Sequence, residues 1–411
     1  MKNRKINVAI GFATGRKHFQ RILRNYVFNW LESNLTSNEE VGLNLYVAYD
    51  LDYRGTKKTD YTRINPEISQ YIDHTSFIGK QEVEATKQSL VNAGTVSMEE
   101  ANMLFGRGYA SQRNIILYSA MRDGMDCLLF LDDDEYPIAV TKNRDMAIWG
   151  GQHVLKAHLQ SIKNADITCG YHCGYISPIP YIEFNDDLTE ECFRQFIQAI
   201  SNDIVNWDSI RRVMDHGGVT YADTDVLINR KTQEVPEINH AKFISGSNLC
   251  INLTRANRVF PFYNPPGARG EDTFLGTCLS PRKVVQVPCY TFHDGFSAYN
   301  HLLSGVLPTS LKFIRPDSEE IIQRFYHACI GWVRYKPLLM YVTDRDNYRT
   351  TISGMTERLN ETLPGICRYF GTQAFMNILK ELKKYDRAVE KHFCAFEGAK
   401  RVWAKVMAEM S

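Results

Sequence analysis

Leu128-Leu129-Phe130-Leu131-Asp132-Asp133-Asp134-Glu135-Tyr136-Pro137 decides how this chain is read. Four apolar residues run into four acidic ones, and a proline ends the run. A short apolar run of this kind predicts a strand buried on both faces, as in a mostly parallel sheet. Several unpaired carboxylates are too costly to bury in such a sheet. They are therefore expected at the strand's carboxyl end, the rim where open α/β sheets bind ligands. Adjacent carboxylates repel one another unless a cation neutralises them. All-oxygen ligands suit hard ions such as Mg²⁺ or Mn²⁺, which also hold substrate phosphates. The competing reading is a solvated acidic turn after a core strand.

Upstream of that strand, Ser111 is a predicted N-cap, Ile115, Ile116, Ser119 and Ala120 give a helical face, and Gly124 is a stop. Arg113 and Asn114 then fall in the first turn, near the acidic rim, where Arg113 is either a diphosphate contact or an exposed helix arginine. Nearer the start of the chain, Ile6–Ile10 reads as a first strand and Gly11–Gly15 as the loop leaving it. Phe19, Ile22, Leu23, Tyr26, Val27, Trp30 and Leu31 form one helical face. Leu43–Tyr49 is a second strand ending in Asp50. Strand, helix and strand in this order predict a right-handed parallel crossover. Gly11 and Asp50 would then lie at neighbouring strand ends, facing a nucleotide's base and ribose; Asp50 reads equally well as a turn residue. Residues 54–106 are polar and irregular, with a weak helical pattern over Gln81–Leu90, and read as an insertion or mobile loop over the site.

Downstream, His153–Lys163 predicts a helix and Asp166–Ile176 a strand. Strand alternation places Cys169 and Cys173 on one face and His172 on the other, which splits an apparent zinc set. Residues 178–240 read as a second insertion, with an amphipathic helix carrying Phe193, Phe196, Ile197 and Ile200. It also holds His216, which is either catalytic or a surface residue of the Asp215-His216-Gly217-Gly218 turn. Lys242–Leu253 is a strand broken by Ser245-Gly246-Ser247-Asn248, and such a glycine marks a bulge or a close approach to a ligand. The Pro265–Gly270 loop delivers Glu271 and Asp272 to a helix start, where the helix dipole favours acids in any case. Val284–Val287 is a last short strand, followed by the Tyr290–Phe296 stretch that contains His293. Past Ser304 the pattern is helical, with Asp317 and Glu320 at capping-box spacing and a periodic run from Phe375 to Phe393. Lys380, Lys383, Lys384, Lys400, Arg401 and Lys405 form the solvated face of a bundle or a stripe resting on an anionic membrane.

A chain of 411 residues has room for two or three domains. With 44% apolar and 23% charged residues it has the composition of a soluble globular protein. A net charge of +1 argues against nucleic acid as the main partner. Ten scattered cysteines, no apolar leader and no bilayer-length run predict a cytoplasmic protein with free thiols.

Taken in order, these features resemble a GT-A glycosyltransferase of the family-2-like group. The resemblance covers about residues 6–296 and rests on Asp132-Asp133-Asp134, Ser245-Gly246-Ser247-Asn248, Gly270-Glu271-Asp272 and the late His293. The 54–106 stretch is longer than the pattern expects, and the first loop is richer in glycine. The resemblance implies a Rossmann-like, mostly parallel sheet flanked by helices over residues 1–303, and a helical region over 304–411. It implies transfer from a nucleoside-diphosphate sugar, UDP by default, to a hydroxyl of a glycan, a lipid-linked glycan or a protein. Under it Asp132 contacts the ribose and lies with Asp133 against the nucleotide, and Asp134 with His293 holds a Mn²⁺ or Mg²⁺ ion. Gly246 leaves room for the donor sugar or acceptor, Glu271 positions the loop or acceptor, and Asp272 is the general base of an inverting reaction. A retaining transferase, a sugar-phosphate nucleotidyltransferase and a carbohydrate-binding protein without catalysis are the rival expectations.

Overall fold

The computed structural model describes residues 5–37, 40–201, 207–295 and 306–410. Its first elements are the expected crossover: β1 (Ile6–Thr14), α1 (Phe19–Glu32) and β2 (Val41–Tyr49), with the two strands parallel and Ile6 opposite Val41. Successive β1 residues face opposite sides. Ala9 and Ala13 join one buried cluster, whereas Val8, Ile10 and Phe12 join the other. That alternation runs past the predicted end of the strand, so Gly11–Thr14 is strand and not loop. Gly11 itself is buried in mid-strand between Tyr46 and Phe130. A Cβ there would stand 2.9 Å from Ile116 Cγ2. Its glycine serves close helix–sheet packing, and the nucleotide role expected of it is withdrawn.

The 54–106 stretch is also more ordered than its composition suggests. It forms two short helices, α2 (Thr59–Thr62) and α3 (Pro66–Ser69), then β3 (His74–Ile78), α4 (Lys80–Asn92) and α5 (Met98–Phe105). β3 extends the sheet, parallel to β2. Its apolar pattern is thin because β3 is an edge strand and α4 buries only Lys87 and Leu90. α6 (Tyr109–Arg122) starts after Gly108, which has φ +101°, so Ser111 lies inside the first turn and is not the cap.

After α6 come β4 (Cys127–Phe130), β5 (Glu135–Tyr136), the antiparallel pair β6 (Ile138–Asn143) and β7 (Met146–Gly151), α7 (Val154–Ser161) and β8 (Ile167–Gly174). The segment up to residue 240 carries α8 (Glu190–Ile200), α9 (Trp207–Asp215), α10 (Thr224–Asn229), β9 (Gln233–Glu234) and β10 (Glu237–Ile238). Then follow β11 (Ala241–Lys242), β12 (Leu249–Asn252), α11 (Glu271–Gly276) and β13 (Val284–His293). Among the described residues the central sheet has nine strands, ordered β3-β2-β1-β4-β12-β8-β13-β5, with β9 also on β13. β12 is antiparallel to both neighbours, β4 and β8, while β13 runs parallel to β8. β13 is a single long strand, not the short one expected; its register against β8 shifts between Gln286 and Tyr290, where Pro288 has no N–H to donate.

β5 follows β4 almost at once in sequence yet lies at the far end of the order, where Glu135 pairs with His293. The sheet therefore curls, and the curl carries the acidic run across to the end of β13.

The C-terminal region forms α12 (Glu319–Thr343), α13 (Tyr348–Tyr369), α14 (Asn377–Arg387) and α15 (Val389–Glu409). Ser318 caps α12 by accepting from Ile321 N at 3.4 Å, in place of the predicted Asp317. The periodic run from Phe375 to Phe393 begins in a 3-10 turn (Gln373–Met376) and continues through α14 and α15, which meet at Ala388. These helices share one buried cluster with α6 and one face of the sheet, and Trp403 Nε1 donates to Val259 O at 3.0 Å. The expected boundary at 303–304 lies outside the described residues. Among the described residues no helix is long and apolar enough to cross a membrane. In the basic stripe, Lys400 pairs with Glu397 and Lys405 with Glu100.

A buried polar network fixes the broken strand before β12. His158, fully buried, meets Thr168 Oγ1 at 2.7 Å and Asn248 Oδ1 at 2.8 Å. Asn248, at φ +51°, donates to Tyr171 O at 3.1 Å. A Cβ on Gly170 would collide with the Asn248 amide, which explains the glycine of Cys169-Gly170-Tyr171. Burial pushes the His158 pKa down from 6.5 to about 4. The unfolded chain then binds a proton that the folded chain refuses. This contribution is therefore complete above pH 6.5 and lost as pH falls from 6.5 toward 4. We expect a loss of about 3 kcal/mol over that window. Urea unfolding of the wild type and His158→Gln should show the slope in the first and a reduced slope in the second.

Candidate functional site

Parallel neighbours β1 and β4 end on the same rim, and this sets the local chemistry. Thr14, Gly15 and Arg16 leave β1 beside the Asp132–Asp134 turn that leaves β4. Arg16 Nη1 lies 2.8 Å from Asp133 Oδ1 and 2.5 Å from Asp134 Oδ2, and Thr14 Oγ1 donates to Asp133 Oδ2. The curl adds a second cation, since His293 Nε2 stands 3.4 Å from Asp134 Oδ2. Tyr175 O fixes the other ring nitrogen of His293, at 2.8 Å from Nδ1.

These contacts separate two adjacent carboxylates. Burial, with Asp134 alongside, pushes Asp133 up to about 7 despite Arg16. Burial would also raise Asp134, but His293 and Arg16 outweigh it and hold that carboxyl well below the usual range. Burial alone would lower His293; Asp134 reverses this and raises it to about 9. The acidic run is thus neutralised by its own protein's cations and is not a freely solvated turn. Arg16 is the residue that sequence reasoning missed. Its signal was its place directly after a strand parallel to β4, which becomes legible once β1 is known to reach Thr14.

The third acid faces the other way. Asp132 Oδ1 accepts from Tyr109 Oη at 3.0 Å and from Arg113 Nη2 at 3.1 Å, while its backbone N donates to Ser247 Oγ at 3.0 Å. Arg113 is not an exposed helix residue. It is 1% exposed, donates to Gly246 O, and holds Nε 3.5 Å from Glu271 Oε1. Its guanidinium lies over the rings of Tyr109 and Phe130, 4.8 and 5.0 Å from their centroids. A Cβ on Gly246 would approach Arg113 Nη2 to 2.9 Å, so this glycine makes room for an arginine of the same chain. Gly246 N in turn donates to Asp272 Oδ2 at 3.1 Å, and Thr273 N donates to Asp272 Oδ1 at 2.8 Å. Burial, with Asp272 adjacent, pushes Glu271 up to about 7 against the pull of Arg113.

Asp132, Arg113, Gly246, Glu271 and Asp272 therefore form one chain of contacts, and Asp133, Asp134, Arg16 and His293 continue it across the rim. Beneath them Glu135, 3% exposed, accepts from Ser247 Oγ at 2.8 Å and Thr291 Oγ1 at 2.7 Å. His172 Nε2 is 3.3 Å from Glu135 Oε1. Cys169 and Cys173 are buried, free, and pushed up to about 12 by burial. Asp50 is exposed just past β2 and accepts from Asp52 N at 2.9 Å, as its turn reading expects. His216 lies in the turn after α9, edge-on to Tyr221 at 5.4 Å. A cavity of about 310 Å³, lined by Met121, Asp126, Leu253 and Met410 among others, lies at the opposite rim of the sheet.

Among the described residues, no three His, Cys, Asp or Glu side chains stand together as a preformed metal cage. Asp134 and His293 face each other as a pair at 3.4 Å. Comparison with models of known protein families gives no match, and comparison with curated protein sequences gives none either.

Removing Arg113 should leave Asp132 and Glu271 facing each other without their shared cation. Breaking a buried pair in this way costs about 3–5 kcal/mol. Arg113→Ala should lose stability of that size in chemical denaturation, and a loss below about 1 kcal/mol would contradict the linking role given to Arg113.

Proposed function

We propose that this chain is a glycosyltransferase of the GT-A type, transferring a sugar from a nucleoside-diphosphate sugar to an acceptor hydroxyl. The observation that carries the reading is the gathering of Asp132–Asp134, Gly246, Glu271, Asp272 and His293 at the carboxyl rim of one curled sheet. These residues come from four separate stretches of the chain. A solvated turn or a carbohydrate-binding surface has no need of that convergence.

A divalent ion fits this site as one that arrives with its donor. Asp134 Oδ2 and His293 Nε2 face each other at 3.4 Å, and Mg²⁺ and Mn²⁺ commonly take only one or two protein ligands and complete their shell with phosphate oxygens and water. Asp134 and His293, once the imidazole has given up its proton, would hold such an ion, which would offset charge on the departing diphosphate. Arg16 supplies a fixed positive charge at the same place and orients Asp133 and Asp134. Asp132, steadied by Tyr109 and Arg113, presents its carboxylate toward the ribose.

Asp272 is the proposed base. Two backbone N–H groups hold its oxygens, which aims the carboxylate rather than leaving it to rotate. It takes the proton of the acceptor hydroxyl as that oxygen bonds to the anomeric carbon. The bond from that carbon to the diphosphate oxygen breaks, its electron pair leaves with the nucleoside diphosphate, and the anomeric centre inverts. One observation favours a second assignment. Burial lifts the Glu271 carboxyl to about 7, a value suited to a base at neutral pH.

Release of nucleoside diphosphate from a panel of sugar nucleotides, with and without Mn²⁺, tests the activity directly. Release of inorganic pyrophosphate in its place would identify a nucleotidyltransferase. Asp134→Ala should abolish the Mn²⁺-dependent part of donor binding. Asp272→Asn should bind donor normally but transfer about 10²–10⁴-fold more slowly, the range typical of a lost general base. If Glu271→Gln shows that loss and Asp272→Asn does not, the base is Glu271.

A further inference from the structure

The acidic rim is crossed by a residue from an unexpected quarter. Arg324 lies in the second turn of α12, in the C-terminal helical region. Its Nη2 is packed so tightly on Gly295 that a Cβ there would overlap it, and the same Cβ would stand 2.6 Å from His293 Cε1. The guanidinium of Arg324 and the imidazole of His293 thus flank one glycine at the end of β13. The charged groups that act on Arg324 are the acids Asp134 and Asp294 and the cations Arg16 and Arg269.

The balance of charge around it favours an anion. Asp134 is already paired with Arg16 at 2.5 Å and faces His293 at 3.4 Å. Asp133 is paired with the same Arg16. Arg269 and Arg324 add two further guanidiniums to this neighbourhood against one further carboxylate, Asp294, and a guanidinium does not discharge at any physiological pH. Burial, reinforced by Arg16 and Arg269, outweighs Asp134 and Asp294 and lowers the pKa of Arg324. So crowded a set of cations is relieved by a ligand that spreads negative charge over several oxygens. Planar guanidinium donors match phosphate oxygens two at a time.

We propose that Arg324 is a diphosphate-binding residue of this site, so that the C-terminal helices complete the donor pocket. The assignment rests on the glycosyltransferase reading above and deepens it. Arg324 grips the diphosphate in the bound donor and keeps its contact as charge builds on the leaving group, while Gly295 keeps the approach open. A purely structural role, serving Asp294, is the competing account.

Titration calorimetry with UDP, GDP and inorganic pyrophosphate, each nucleotide set against its parent nucleoside, separates these accounts. Arg324→Gln should weaken diphosphate binding about 10–100-fold, the range for a lost hydrogen bond to a charged group. Binding of uridine or guanosine should stay as in the wild type, and Arg324→Lys should recover part of the loss. Gly295→Ala, which displaces the guanidinium without deleting it, should weaken the same ligands. If Arg324→Gln lowers the thermal midpoint yet binds diphosphate as tightly as the wild type, Arg324 is structural and the assignment is overturned. If the wild type itself binds no diphosphate, the glycosyltransferase reading falls and this assignment falls with it.

Discussion

The site depends on one buried guanidinium. Arg113 is donated by α6 but bonds to Gly246 O before β12 and to Asp132 after β4, and it lies against Glu271 at the start of α11. A charge so deeply buried is tolerated only when it is paired, and here Asp132 and Glu271 supply the counter-charge while Gly246 O accepts a hydrogen bond; Nε makes no hydrogen bond of its own. The requirement also works in reverse. Because Arg113 must be satisfied, the three segments are held in one relative position. Aromatic faces close it off from water, and the absence of a side chain at Gly246 leaves room for it. What local reading treats as separate motifs is therefore one electrostatic unit.

Around that unit charge is distributed unevenly, and the unevenness matters chemically. Asp133 and Asp134 are neighbours in sequence, yet one is pushed up to about 7 and the other held well below its usual range. The difference arises because the curl of the sheet brings His293 to Asp134 and not to Asp133. Adjacent carboxylates with separated protonation behaviour are a common mark of functional sites, since structural turns rarely bury three acids beside fixed cations.

The C-terminal helices act as a frame for this rim. Arg334 donates to Gly267 O at 2.8 Å and is itself held by Glu381 at 2.7 Å. Tyr385 donates to Pro266 O from α14. Gly270, at φ +94°, turns the chain beneath the ring of Tyr335, and a Cβ there would lie 3.0 Å from Tyr335 Cδ1. The loop that delivers Glu271 and Asp272 is thus clamped from outside the sheet. Rigid support of this kind is what positions carboxylates closely enough for proton transfer.

The sequence alone determined the parts whose signals are local. The apolar run into Asp132–Asp134 marked a core strand and a charged rim because apolar side chains and carboxylates cannot share a sheet interior. The face from Phe19 to Leu31 marked α1, and the break at Ser245–Asn248 marked a bulge or a close approach to a ligand, where the structure places Arg113 of the same chain. Gly11 was misread because a packing glycine and a loop glycine look alike without the helix that lies against it. β3 and α4 were hidden because an edge strand and a shallow helix bury little and so leave little pattern. The tertiary structure decided what rests on contacts between distant positions: Arg16 on Asp134, Arg113 on Gly246, His293 on Asp134, and Arg324 at Gly295. Such pairings follow from strand order and sheet curl, which are properties of the whole packed chain and leave no trace in the spacing of neighbouring residues.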